Sequence, residues 1–225
     1  MRPRVIIHNA ISLDGRIDRF AVDLGLYYEI AGRFEEDATL VGSETLLQSP
    51  EGAAFLDEPA EGADPLPGKK EDDGRALLVV PDSRGRIRNW DFLRRRPYWR
   101  DVLVLGASLT PAEHFERLKK QGVPYFIAGR ERVDFAAALE ALYKRYDVRT
   151  VRVDSGGTLN GVLLRAGLVD EVSLLIHPLL VGGPSLKSVF YSPDSASEAN
   201  PLPLRLIHLE KLAGDVVWVR YKIAG

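Results

Sequence analysis

Residues 101–129, DVLVLGASLTPAEHFERLKKQGVPYFIAG, set an apolar strand, a helix and a second apolar strand in immediate succession. Thr110 and Glu113 have capping-box spacing, Pro111 suits a first helical turn, and Gly122 stops the helix before VPYFIAG resumes a strand. A chain that alternates in this way is constrained to an α/β architecture around a mostly parallel sheet.

The alternation extends through the chain. VIIHNAI (5–11) reads as a buried strand ending in the loop SLDG, and LGLYYEIAGRFEEDA (24–38) places Leu26, Ile30, Phe34 and Ala38 at helical spacing. TLVGSETL reads as strand, glycine turn and helix start, and RALLVV (75–80) as a strand followed by the loop PDSRGRIR. Asp134 caps FAAALEALYKRY, TVRV (150–153) is a strand, and LNGVLLRAGL is a short helix ended by Gly167. The tail departs from the pattern: EVSLLIHPLLV, LRLIHLEKL and VVWVRYKI follow one another without helices, which predicts an antiparallel edge. Between Pro50 and Gly74 the chain is rich in Pro, Gly and acids with no sustained period, which predicts a mobile surface insertion in a single domain over 1–225.

Composition removes several function classes. The chain has no cysteine, so thiolate nucleophiles and zinc–thiolate sites are excluded, and His8, His114, His177 and His208 lack ligand spacing, so no metal is expected. A formal charge of −2 offers no net positive field for nucleic acid or an anionic membrane, so an anionic ligand needs a local site. The short apolar run at the N-terminus is no signal peptide, and no run approaches about 18 apolar residues, so a cytoplasmic protein is expected.

One local site stands out in VDSGGTLNG (153–161). Between a strand and a helix, Gly156, Gly157 and Thr158 fall at a helix start, where backbone N–H groups lack intrahelical partners and a phosphate is favoured. The glycines serve either the turn alone or such an anion, because the six-residue dinucleotide fingerprint is not matched.

VDSGGTLNGVLLRAGLVDEVSLLIHPLLVGG, with VIIHNAISLDGRI and ATLVGSETLL in the same order, resembles the reductase family of riboflavin biosynthesis. The resemblance runs from about residue 4 to residue 190. It implies a three-layer dihydrofolate reductase-like fold, a homodimer, and NADPH as hydride donor to the ring-opened ribosyl group of a phosphorylated pyrimidine. It places the cofactor on Ala10, Thr45, Ser83, Gly156, Gly157, Thr158, Leu159 and Asn160, with Arg84 or Arg86 as the partner of the adenosine 2′-phosphate. It places the substrate on Ser12, Asp14 and Arg33, and catalysis on Asp154 and His8. For Arg33, Asp14 and His8 the alternatives are an exposed helix charge, a turn residue and a structural strand residue, and for the arginines a solvated loop.

Two departures concern the substrate. Where bacterial members of the family have lysine and archaeal ones asparagine, this chain has His8. The family's Asp-Asp-Pro and Leu-Thr-x-Arg segment is replaced by TLLQSPEGAAFLDEPAEG (45–62). The reductase reading therefore stands beside two others, a reductase of another small heterocycle or carbonyl compound and an inert NADP-binding module.

Overall fold

The computed structural model describes residues 1–57, 74–183, 187–191 and 201–224. Among the described residues the strands pair mostly in parallel, with an antiparallel edge, as the alternation and the helix-free tail predict. The chain divides into two compact units, Met1–Pro3 with Glu36–Val151, and Arg4–Glu35 with Arg152–Gly225.

In the first unit β2 (Ala38–Leu40), β3 (Leu77–Pro81), β4 (Asp101–Gly106) and β5 (Tyr125–Ile127) pair in parallel in the order β5-β4-β3-β2, followed by the start of β6 (Thr150–Val153). The intervening helices are α2 (Ser43–Leu47), α3 (Asp91–Arg94), α4 (Ala112–Lys120) and α5 (Phe135–Arg145). The apolar runs of β3 and β4 bury Leu78, Val80, Val102 and Val104 against Trp90, Leu118 and Phe55, as strands covered by helices require. Asp134 accepts from Ala137 N–H as the expected cap of α5.

The expected capping box at Thr110 does not form. Its hydroxyl accepts from Ala107 N–H at 2.9 Å and donates to Ser83 O at 2.8 Å, and Pro111 occupies the cap position. A hydroxyl spent on the loop between β4 and α4 is unavailable to the helix. The stretch expected to be a surface insertion begins with a 3-10 turn over Gly52–Phe55, and Phe55 is buried. Any excursion therefore starts after Phe55, and residues 58–73 lie outside the described residues.

In the second unit the order is β6, then β1 (Arg4–Ser12), β7 (Glu171–His177), β9 (Val217–Ile223) and β8 (Leu204–Lys211). β1 and β7 are parallel, with Ile6 opposite Glu171 and Ser12 opposite His177; β9 is antiparallel to both β7 and β8. A bulge between Leu206 and His208 interrupts β8. Among the described residues its α-helices are α1 (Leu24–Gly32), capped by Asp23, and α6 (Gly157–Arg165). Ile6, Ile30, Phe34, Leu175 and Trp218 form its core.

Helix α1 is shorter than its apolar spacing suggests. It ends at Gly32, Glu35 takes a positive φ of 48°, and Ala38 starts β2. Phe34 remains buried although it lies beyond the helix, so the spacing reports the packed face and not the helix length.

One buried ion pair holds the first unit together locally. Arg94 Nε donates to Asp101 Oδ1 at 2.8 Å, and its Nη1 reaches Gln121 O at 3.4 Å and Gly122 O at 3.3 Å, so α3 is tied to β4 and to the end of α4. Removing one partner strands the other charge in a dry site. Arg94→Met is expected to lower unfolding stability by about 3 kcal/mol in urea denaturation, and an unchanged midpoint would show that the pair contributes nothing net.

Candidate active site

β6 and α6 are joined by Asp154, Ser155 and Gly156. Gly156 is the extended cap residue of α6, at φ −78° and ψ 174°, and no side chain caps the helix. A helix start whose cap residue brings no side chain presents N–H groups without intrahelical acceptors, which fits a diphosphate group. Thr158 is exposed, whereas Leu159 and Gly157 are buried. Gly157 has a packing reason of its own: a Cβ there would stand 2.1 Å from Ser188 O, and Tyr191 N–H donates to Gly157 O at 2.9 Å.

Asn160, expected at the cofactor, is fully buried and faces its own chain. Its Nδ2 donates to Asn9 Oδ1 at 2.8 Å and Val189 O at 2.9 Å, while Asn9 Nδ2 donates to Ser155 O at 2.9 Å. The pair thereby fixes β1, the turn before α6 and the 187–191 segment relative to one another. Asn160 Oδ1 is buried with no hydrogen-bond partner among the described residues. Ala10 lies on the same strand as Asn9 and is almost fully buried.

His8 is also fully buried. Its Nδ1 lies 2.9 Å from Ser173 Oγ, which accepts from Trp218 Nε1–H at 2.8 Å, and its ring packs against Tyr27 and Phe34 at 4.6 and 5.3 Å. Nε2 has no partner among the described residues. Burial, and then the charge of Arg152, lower the imidazole pKa to about 4, so the ring is neutral at neutral pH.

Asp154 stands at the C-terminal end of β6. Its Oδ1 lies 2.9 Å from the Tyr27 hydroxyl and its Oδ2 accepts from Arg152 Nη1 at 3.0 Å. The structure thus gathers His8 and Asp154 around Tyr27, which also reaches His8 O at 2.9 Å. Burial and the Asp154 charge push the Tyr27 phenol well above its ordinary pKa, so it remains a donor. Sequence reasoning missed Tyr27, Arg152, Ser173 and Trp218. Only Arg152 left a signal, as a charge inside an otherwise apolar strand.

The expected substrate residues are engaged internally. Ser12 Oγ donates to Asp14 Oδ1 at 2.6 Å and accepts from Arg16 N–H, while the Asp14 carboxylate accepts from Val181 and Gly182 N–H at 3.0 and 2.9 Å. The Ser12 hydroxyl, followed by those two N–H groups, holds Asp14 far below the usual carboxylate pKa. Arg33 pairs with Glu29 at 3.1 Å and Glu210 at 3.5 Å and lies over the Trp218 ring.

Thr45, Ser83 and Arg84 belong to the first unit. Thr45 lies in α2, and Ser83 and Arg84 in the loop after β3. There Asp82 Oδ2 accepts from Ile87 N–H at 2.9 Å, and Gly85, at φ 64°, packs so closely on His114 that a Cβ would stand 2.8 Å from it. Arg86 pairs with Glu44 at 2.7 Å, while Arg84 is exposed.

A family model described as the RibD C-terminal domain matches residues 3–218. The chain is 30% identical over 240 residues to the 2,5-diamino-6-ribosylamino-4(3H)-pyrimidinone 5′-phosphate reductase of Methanothermobacter thermautotrophicus, with 100% of each covered. It is 33% identical over 198 residues to the reductase of the same description from Archaeoglobus fulgidus, covering 81% of this chain and 84% of that one. Among solved structures, Acinetobacter baumannii RibD superposes at a TM-score of 0.70 with 20% identity, over 99% of this chain and 58% of that one. Dihydrofolate reductase from Enterococcus faecalis superposes at 0.50 with 11% identity, over 99% and 97%. The two structural likenesses show a fold shared with RibD and dihydrofolate reductase. With a match from residue 3 to residue 218 and a relative 30% identical over its whole length, the chain belongs to the RibD C-terminal domain family.

Proposed function

We propose that the chain is an NADPH-dependent, cytoplasmic reductase acting by direct hydride transfer on 2,5-diamino-6-ribosylamino-4(3H)-pyrimidinone 5′-phosphate or its uracil counterpart. The observation that carries this reading is a carboxylate, Asp154, three residues before the first residue of α6, whose cap residue Gly156 brings no side chain. The relatives from Methanothermobacter thermautotrophicus and Archaeoglobus fulgidus carry that reductase description, which supports the choice of substrate.

When bound, NADPH supplies the hydride that converts the ring-opened ribosyl group to ribityl, and it leaves as NADP+. The N–H groups of Gly157, Thr158 and Leu159 hold its diphosphate, with Ala10 of the same unit as a further contact. Asp154 orients a sugar hydroxyl or takes part in the proton transfer that accompanies hydride addition. His8 serves as a neutral hydrogen-bonding group, since its imidazole charges only near pH 4. Arg84 pairs with the adenosine 2′-phosphate.

A second reading is favoured by Arg33, on which two carboxylates already sit. A substrate phosphate needs a charged partner, so the substrate is then an unphosphorylated heterocycle or carbonyl compound. Assaying the phosphorylated and dephosphorylated ribosylaminopyrimidines side by side separates the two.

The exposed face of β8 supports a homodimer. Leu204, Leu206, Ile207 and Leu209 are exposed on an edge strand, an arrangement that soluble monomers avoid.

Three outcomes are expected. Absorbance at the nicotinamide band falls when protein, NADPH and the ribosylaminopyrimidine phosphate are mixed, and Asp154→Asn lowers kcat by about a hundredfold while the NADPH Kd is retained; an enzyme-independent rate would sink the reductase reading. In fluorescence titrations, Arg84→Ala weakens NADPH binding by about tenfold or more and leaves NADH binding unchanged; equal losses for both would remove Arg84 from the 2′-phosphate. Sedimentation shows a dimer that Leu206→Asp with Leu209→Asp converts to a monomer, and a wild-type monomer would end the dimer reading.

A further inference from the structure

Asp154 is gripped from within the protein at both carboxylate oxygens. The Tyr27 hydroxyl lies 2.9 Å from Oδ1, and Arg152 Nη1 donates to Oδ2 at 3.0 Å. The two donors are interior groups, with Tyr27 buried and the Arg152 side chain 3% exposed, whereas the Asp154 side chain is 26% exposed. A partly exposed aspartate is thus clamped to a floor of buried donors, one on β6 and one on α1.

Tyr27 has a single proton and two acceptors within 2.9 Å, the Asp154 carboxylate and His8 O. A charged acceptor makes the stronger bond, so the proton faces Asp154. His8 packs on the Tyr27 ring at 4.6 Å, and Ser173 holds His8 in turn. The tyrosine therefore has little freedom to swing away. Fixing a carboxylate along two directions sets the remaining lone pairs of Asp154 in one orientation, which is what a reacting group beside a bound substrate requires.

We propose that Tyr27 and Arg152 are positioning residues for the reduction, holding Asp154 in its reactive orientation without touching substrate. This rests on the reductase reading above. A purely structural role makes a different forecast, because Asp154 would then exist to neutralise Arg152.

The test is a double-mutant cycle on the full chain, with Tyr27→Phe made in the wild type and in Asp154→Asn. Tyr27→Phe is expected to lower kcat by about tenfold while the substrate KM and the NADPH Kd change by less than about twofold. In the Asp154→Asn background the same change adds nothing, since the group it orients is gone. Arg152→Lys, which keeps a donor, retains more activity than Arg152→Met. If the arginine variants do not fold, Tyr27→Phe decides alone, because it removes one oxygen and no charge. A wild-type kcat in Tyr27→Phe, or equal losses in both backgrounds, overturns the proposal. A wild-type protein that never oxidises NADPH overturns the reductase reading, and this proposal falls with it.

Discussion

β1 carries three polar side chains, His8, Asn9 and Ser12, through a stretch buried from Val5 to Ser12. A polar group taken out of water without a partner costs more than a hydrogen bond returns, so each must be matched from elsewhere in the unit. Asn9 takes the Ser155 carbonyl and the Asn160 amide, His8 takes Ser173 of β7, and Ser12 takes Asp14 and the Arg16 N–H. Those matches place the turn before α6, the adjacent strand and the loop after β1. An apolar β1 would make the same sheet but would not hold these segments in place.

The glycines of the β6–α6 turn have two separate causes. Gly157 is required because the Ser188 carbonyl occupies the space of a side chain. Gly156 takes an extended conformation that other residues also adopt. What suits an anion is the start of a nine-residue helix whose cap residue brings no side chain. The G-G-T pattern is therefore partly a packing signature, which is why spacing alone left the turn and the phosphate undecided.

Fold class was legible because strand and helix alternate with local signals that act over a few residues, such as Asp134 on Ala137 N–H. The errors arose where a local rule met a competing contact. Thr110 had the spacing of a cap but Ser83, 27 residues away, took its proton. Ala38 had helical spacing, yet the chain had already turned at Glu35 to enter β2. Of the candidate site, Asp154 and His8 were singled out through the motifs that contain them. Tyr27 and Ser173 were not, since the bonds that matter span 127 and 165 positions and leave no trace in spacing.

The electrostatics of this floor explain why an imidazole can stand at position 8. Arg152 and Arg220 both disfavour a positive charge there, Asp154 favours one, and burial weighs against it most heavily. Arg220 is itself held by Glu171, which also receives Arg4, and Arg152 is held by Asp154. Arg152 and Arg220 each have a carboxylate partner, that of Arg220 shared with Arg4, so an added cation at position 8 would find no unshared one among these groups. A lysine there would need Asp154 or a bound anion as its counter-charge. A neutral histidine leaves Asp154 to Arg152 and Tyr27, so the change at position 8 and the two-sided grip on the carboxylate belong to one charge balance.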